Sequence, residues 1–271
     1  MDTRQLLDEM RRLPVQHSVV MRVLGVLDDP NRSACDIAHS LAVDPALCVR
    51  VLHLANSPFF GLSGKVGNVE HAAVCLGTSV IRSMVISAAA GVFDERPDDL
   101  PEGFLGHSMA TAAAASLIAQ MTGLSPGDAL CAGLLHDIGS ALLYRKYRAE
   151  TIAAWAGPCD GIIEAELKTF GSSHAELGAL ALEVWRLPTP IVNAIRDHHH
   201  DPTTVDSRLT KCLIAAEALV CIVDTDGSRS RECPRDPEAA LLAAGLASLD
   251  IESMLERISE DSERLAGVSA D

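Results

Sequence analysis

Hydrophobic residues recur along most of this chain at spacings of three and four, the repeat of an α-helix with a buried face. Helix-start signals occur at the same places, such as Ser33 with Asp36 and Asp44 followed by Pro45. No strand pattern rises above background, so we predict an all-α fold. The predicted helices are 34–42, 45–56, 69–76, 79–92, 104–121, 126–139, 174–187, 189–200 and 209–223.

One acidic, proline-containing segment divides this pattern. Residues 94–103 hold two prolines and five acidic residues, a composition typical of a boundary. We therefore predict two packed helical lobes, 13–93 and 104–221. Residues 224–237 are polar, so 222–271 is predicted to be a polar loop followed by a helical tail.

Composition narrows the functional classes. With 271 residues, 48% of them hydrophobic, the chain has enough material for a large core. The formal net charge of −15 opposes binding to nucleic acid or to an anionic membrane. The eight cysteines form no CxxC pair, which favours reduced core thiols in the cytoplasm. There is no signal-peptide pattern and no run of 18 apolar residues, so we expect a cytoplasmic protein with no membrane span.

The sequence CAGLLHDIG at 131–139 is the most informative stretch. It places His136 and Asp137 at the end of a helix that otherwise contains Ala, Leu, Cys and Gly, and is therefore buried. Because a buried carboxylate is costly without a partner, this pair predicts a metal ion or other buried polar groups nearby.

Other ionisable side chains also lie on apolar helical backgrounds. Imidazole and carboxylate ligands suit iron, manganese or zinc, and helical cores often hold such sites. Simpler explanations remain: core hydrogen bonding for His107 or His174, favourable helix-end charge for 198–200, and an ion pair with Arg or Lys for Glu217. The remaining histidines, at 17, 39, 53 and 71, are predicted to be structural. The candidate metal ligands are His107, His136, Asp137, His174, His198, His199 and Glu217.

Two sets of motifs resemble a known family. LLHDIG, His107 upstream and HAELGALALEVWRLP with AIRDHHH downstream resemble HD-type phosphohydrolases and their HD-GYP branch. The segments SACDIAHSLAVDPALCVRVLHLANSPFFGL (33–62) and VGNVEHAAVCLGTSVIRSMVI (66–86) are similar to the first half of the HDOD family of bacterial signalling proteins. The resemblance covers 13–221 and implies an HD-domain-like C-terminal lobe.

The resemblance implies a stand-alone regulatory protein that acts through a protein partner, without catalysis. It places the candidate histidines and Asp137 where the phosphohydrolase branch has metal ligands. Three departures oppose hydrolysis: Ser140 replaces a lysine, Glu217 replaces an aspartate, and the GYP motif is missing. The sequence offers no evident cation for a scissile phosphate, since Arg145, Lys146 and Arg148 are expected at the surface.

Alternatives remain open. The chain could be a metal-dependent phosphohydrolase acting on a nucleotide or cyclic dinucleotide. A DNA-binding role is disfavoured because residues 34–55 contain one Arg and no Lys. Phe59 and Phe60 are predicted either to fill the junction between the lobes or to form a docking patch. The oligomeric state is left open.

Overall fold

In the computed structural model, the described residues are 17–62, 65–89, 100–156, 161–223, 235–247 and 251–266, and within these ranges the protein is helical with no strand. The first helices are α1 (His17–Leu27), α2 (Ala34–Leu41), α3 (Pro45–Asn56), a 3-10 turn (Pro58–Phe60) and α4 (Val69–Ala89). The central ones are α5 (Phe104–Thr122), α6 (Pro126–Leu135), α7 (Ile138–Lys146), α8 (Arg148–Ala154) and α9 (Ile162–Phe170). The last are α10 (His174–Val184), α11 (Thr189–Arg196), α12 (Arg208–Val223), α13 (Pro237–Ala243) and α14 (Ile251–Ala266). The predicted all-α class is confirmed.

The predicted helix starts are formed by side-chain caps. The Ser33 hydroxyl accepts the Asp36 amide at 3.3 Å, and the Asp36 carboxylate accepts the Ser33 amide at 2.9 Å. The hydroxyls of Ser125 and Ser173 likewise accept the amides of Asp128 and Glu176, each at 3.2 Å, at the starts of α6 and α10. These local bonds satisfy amides that have no partner inside the helix, which explains why the sequence located these starts correctly.

Gly77 separates two helical segments within α4, as the sequence predicts. Its φ of 75° and ψ of 169° break the helix, and this left-handed region favours glycine. Residues 90–92, the predicted end of the second segment, lie outside the described residues. By length and composition alone, Val69–Ala88 could cross a membrane, but 67% of its apolar window is buried inside the fold, where the helix packs in the core.

The lobes share a core. One cluster of buried apolar side chains runs from α1 to α4 into α5, α6, α7, α10 and α11. A second cluster lies between α5, α12, α13 and α14, so α5 contributes to both. Arg82 of α4 ties the halves together by donating to Asp28 at 2.7 Å and to the Arg186 carbonyl at 3.2 Å. Residues 94–99, most of the predicted 94–103 boundary, lie outside the described residues.

Two predicted helix ends are wrong. The helix predicted to run to Gly139 ends at Leu135, and α7 begins at Ile138 with His136 and Asp137 in the break. The helix predicted to run through the histidine triplet ends at Arg196, because Asp197 leaves helical geometry (φ −102°, ψ 7°). In both places polar side chains turn toward a common centre, a tertiary requirement that overrides the local helical pattern.

Within the described residues, the tail forms helices α13 and α14. The last, α14, packs against the Pro58–Phe60 turn, where Phe59 and Phe60 are half-buried in an edge-to-face pair with centroids 5.0 Å apart. Both rings also contact the main core, which favours the packing interpretation over the docking patch.

The described cysteines are free thiols. Cys131 and Cys212 are buried, and burial raises the pKa of each thiol to about 12. Cys35 is exposed, so the prediction of a core thiol is wrong at that position. Its position immediately after the Ser33 cap, on the outer face of α2, accounts for this exposure. Cys159 and Cys233 lie outside the described residues.

Candidate metal centre

The predicted site residues meet in the C-terminal half of the molecule. His107 lies in the first turn of α5, His136 and Asp137 in the α6–α7 break, and His174 at the start of α10. The imidazoles lie close together: the His136 and His198 centroids are 5.4 Å apart, and those of His174 and His198 are 5.5 Å apart. Residues separated by more than ninety positions in the sequence therefore share one buried space.

The first group of possible ligands is His107, His136 and Asp137, all buried. The Nε2 atoms of His107 and His136 are 3.2 Å apart, and His136 Nε2 lies 3.6 Å from Asp137 Oδ2. Possible ligand atoms from the three residues lie within 4.8 Å of one another. This spacing is compatible with ligation of one ion by all three.

The second group is His174, His198 and His199. The Nε2 atoms of His174 and His199 are 2.8 Å apart, and the His198 and His199 rings have centroids 4.1 Å apart. Asp137 Oδ1 faces this group, 3.3 Å from His174 Nε2 and 4.0 Å from His198 Nε2. Asp137 thus lies between the two groups, with one carboxylate oxygen directed toward each.

Gly139 permits this arrangement. A Cβ at this position would overlap the carbonyl oxygen of His174 and lie 2.7 Å from the Gly178 amide nitrogen. Real Cβ atoms essentially never approach backbone this closely, so any side chain would force α7 and α10 apart. The glycine of the HDIG motif therefore serves helix packing next to the site, and does not end a helix.

Glu166 of α9 is a site residue that sequence reasoning missed. It is fully buried, and its carboxylate accepts the His174 amide at 2.7 Å, His174 Nδ1 at 2.8 Å and Trp155 Nε1 at 2.7 Å. A carboxylate behind a histidine fixes the ring orientation and raises its basicity, as in metal sites. The apolar spacing of α9 could have indicated that Glu166 lies on the buried face of the helix. It could not have indicated that its partners are His174 and Trp155.

Hydrogen bonds to Nδ1 orient three of the rings. His136 Nδ1 faces the Gly133 carbonyl at 2.7 Å, and His198 Nδ1 faces the Ile195 carbonyl at 2.5 Å. Like His174 Nδ1 beside Glu166, each faces an acceptor and holds a proton there, so that each ring, in its neutral form, directs the Nε2 lone pair to the centre. His198 Nε2 is buried and has no hydrogen-bond partner among the residues that the structure describes. Such a donor set fits a divalent transition metal.

Burial controls the charge of these rings. It lowers the pKa of His136, although Asp137 acts in the opposite direction. It lowers the pKa of His198 to about 4, with His136 and His174 adding to the effect, and it lowers the pKa of His199 well below the usual value. For His174 burial is outweighed by Glu166, which raises the pKa. Neutral imidazoles are the form that binds metal.

Glu217 is placed at the edge of the cluster, where Arg235 pairs with it. Arg235 Nη1 lies 2.5 Å from Glu217 Oε2, and Arg235 Nη2 lies 3.1 Å from His199 Nδ1. Burial would raise the pKa of Glu217, but Arg235 and the nearby histidines lower it. The ion-pair alternative for Glu217 therefore holds, and a cation that the sequence did not indicate, Arg235, lies at the edge of the cluster. Arg235 was missed because its segment reads as a polar loop.

The other charged candidates lie elsewhere. Arg145, Lys146 and Arg148 are exposed, as predicted. His39 and His71 are exposed on α2 and α4. Among the residues that the structure describes, neither these histidines nor His53 joins a group that could hold a metal.

The fold and the buried histidine cluster define an all-α protein of the HD-like class. The HDOD domain model matches residues 13–201, and the chain belongs to this family. A candidate phosphohydrolase from Shewanella amazonensis SB2B superposes with a TM-score of 0.72 at 26% identity, covering 98% of both chains. An HDOD domain protein of unknown function from Geobacter sulfurreducens has a TM-score of 0.68 at 24% identity, covering 99% of this chain and 96% of that one.

Sequence relatives are longer proteins. An uncharacterized protein from Treponema pallidum is 26% identical over 203 residues, which are 72% of this chain and 39% of the relative. Ribonuclease Y from Opitutus terrae is 33% identical over 106 residues, 38% of this chain and 16% of the relative. The chain thus spans well under half the length of the curated relatives it matches.

Proposed function

We propose that this chain is a regulatory signalling protein that binds a divalent transition metal (iron, manganese or zinc) in its C-terminal lobe and acts through a protein partner without catalysis. One observation supports metal binding above all. His136, His174 and His198 are each oriented by an acceptor at Nδ1, so that Nε2 faces Asp137. Buried imidazoles held this way suit a metal better than mutual hydrogen bonding, which leaves His198 Nε2 with no hydrogen-bond partner within the described part of the chain.

The proposed ligands are His107 and His136 on one side, and His174, His198 and His199 on the other. Asp137 lies between the sides and Glu217 at the edge. A divalent ion at such a site supplies Lewis-acid chemistry. The protein holds the rings in place through Glu166 and two backbone carbonyls, and its helices exclude water from the cluster.

Two features support a role without turnover. Ser140, at the position after HDIG, is buried and uncharged, so it cannot neutralise a phosphate. Arg235, the cation that does reach the cluster, already contacts Glu217 and His199. Hydrolysis of a phosphate ester needs stabilisation of charge in the transition state.

The proposed action on a protein partner, in the cytoplasm, rests on membership of the HDOD family and not on a contact in this structure.

Metal-dependent phosphohydrolase activity is the second candidate. The full set of converging ligands favours it, as do the relatives named as phosphohydrolase and ribonuclease Y. A nucleotide or cyclic dinucleotide would be the substrate class. The charge of −15 disfavours binding to long nucleic acids.

Elemental analysis of anaerobically purified protein tests the metal site. We expect bound iron, manganese or zinc in the wild type and in His71→Ala, whose side chain is exposed far from the cluster. His136→Ala and His174→Ala should lose it. A wild type that contains no transition metal and cannot be loaded with Mn²⁺ would refute metal binding.

Turnover assays separate the two candidates. Protein loaded with Mn²⁺ or Fe²⁺ would be incubated with cyclic di-GMP, nucleoside phosphates and short single-stranded RNA. We expect no hydrolysis above the His136→Ala background. Robust hydrolysis that His136→Ala abolishes and His71→Ala retains would establish the phosphohydrolase in place of the regulatory role.

A further inference from the structure

Arg235 stands where a positive charge is expected in the proposed metal site. Its guanidinium contacts Glu217 at 2.5 Å and His199 Nδ1 at 3.1 Å, and its side chain is 18% exposed. These two partners are candidate ligands on different elements, the turn after α11 and helix α12. The guanidinium therefore already provides part of the positive charge that an ion would bring.

The contact with His199 has a consequence for its protons. Arginine is always protonated, so its N–H donates and His199 Nδ1 accepts. A neutral imidazole has one proton, which must then lie on Nε2, the atom 2.8 Å from His174 Nε2. Only one proton fits between these two facing nitrogens. With Arg235 in place, the hydrogen-bonded arrangement assigns that proton to His199.

A metal ion reverses this requirement. An ion bound to His199 Nε2 needs the lone pair there, so the imidazole proton must move to Nδ1. That proton would point at the N–H of Arg235, and two donors facing each other at 3.1 Å repel. Ligation by Glu217 conflicts in the same way, because its Oε2 atom already accepts from Arg235.

Arg235 is attached to a defined part of the fold. Asp236 caps α13 by accepting the Glu238 amide at 3.0 Å, and Ala240 and Leu241 of that helix are buried against α12. Displacing the guanidinium would release the tether that its contact with Glu217 makes between α12 and the start of α13, two residues away.

We propose that Arg235 is an intramolecular competitor for the metal: a seated Arg235 and a metal-bound His199 exclude each other. Metal binding is thereby coupled to movement of residues 235–247. This inference rests on the proposed metal site, and it adds a residue that sets the affinity of the site and transmits its occupancy to the C-terminal segment.

Titration of metal-stripped, full-length protein with Mn²⁺ tests the competition, with free Mn²⁺ counted by electron paramagnetic resonance. We expect Arg235→Met to bind Mn²⁺ at least tenfold more tightly than the wild type, a difference of about 1.4 kcal/mol. Arg257→Met is the matched control, because it removes the same charge from an exposed position on α14 and should behave as wild type. Equal or weaker binding by Arg235→Met would overturn the proposal.

Hydrogen exchange of the wild type separates exclusion from simple charge repulsion. If Mn²⁺ displaces Arg235, amide exchange in 235–247 speeds up on metal addition, whereas peptides of α2 stay unchanged. Metal binding without faster exchange in 235–247 would overturn the proposal while leaving the metal site intact. If neither wild type nor Arg235→Met binds Mn²⁺ at millimolar concentration, the metal site itself is refuted and the competition with it.

Discussion

Gly139→Ala tests how closely helix packing and the site are linked. The added methyl group would overlap the His174 carbonyl oxygen and lie 2.7 Å from the Gly178 nitrogen and 2.8 Å from the His174 carbonyl carbon. All three atoms belong to the backbone of α10, so no side-chain rotation relieves the clash. Helices α7 and α10 must separate, and Asp137 and His174 move apart with them.

The expected cost follows from overpacking. Inserting a methyl group into a packed core lowers the unfolding free energy by about 1–3 kcal/mol. Because this methyl group would clash with three backbone atoms, we expect a loss of about 3 kcal/mol for Gly139→Ala. Metal content should fall as well, since the 3.3 Å approach of His174 Nε2 to Asp137 Oδ1 depends on this packing. Urea unfolding gives the free energy of unfolding, and elemental analysis gives the metal content.

Gly106→Ala is the matched control. Gly106 is an exposed residue of α5 beside His107, and a Cβ there meets nothing within 4 Å. This variant should be unchanged or more stable by about 0.5–1 kcal/mol, because alanine favours the helix. The reasoning is refuted if Gly139→Ala unfolds at the same urea concentration as Gly106→Ala and retains its metal.

Three further predictions follow from the buried side chains. Glu166→Gln leaves His174 or Trp155 without its acceptor, so we expect the unfolding free energy to fall by about 2–3 kcal/mol. NMR titration should also show a lower His174 pKa, and an unchanged pKa would contradict the role of Glu166. The pKa of His198 is about 4 in the fold against 6.5 for a free histidine, so the unfolded chain takes up a proton first as pH falls. His198 therefore contributes stability to the metal-free protein that is present above pH 6.5 and is lost, by about 3 kcal/mol, as pH falls toward 4. Unfolding free energy should fall less steeply over this range in His198→Gln, and equal slopes would refute this. Phe59→Ala should lower the unfolding free energy by about 2 kcal/mol, whereas Val74→Ala, at an exposed position on α4, should leave it unchanged. Equal melting temperatures for these two variants would support the docking-patch interpretation instead.

Local sequence signals were enough to predict the all-α class, the capped starts of α2, α6 and α10, and the candidate ligands. These depend on local physics: a serine cap bonds an amide three residues away, and Gly77 adopts a positive φ because it has no Cβ. The histidines stood out because they interrupt apolar helical faces. Such signals require no knowledge of what packs against them.

Tertiary structure decided the rest. The helix ends near Asp137 and Asp197 follow from side chains turning to a shared centre, which helical periodicity cannot reveal. Glu166 and Arg235 lie in segments that look ordinary in sequence, and they became site residues only when α9 and the start of α13 packed beside α10 and α12. Electrostatic and packing interactions act over a few ångströms in space, whatever the separation along the chain, so partners from different helices emerge only in the fold.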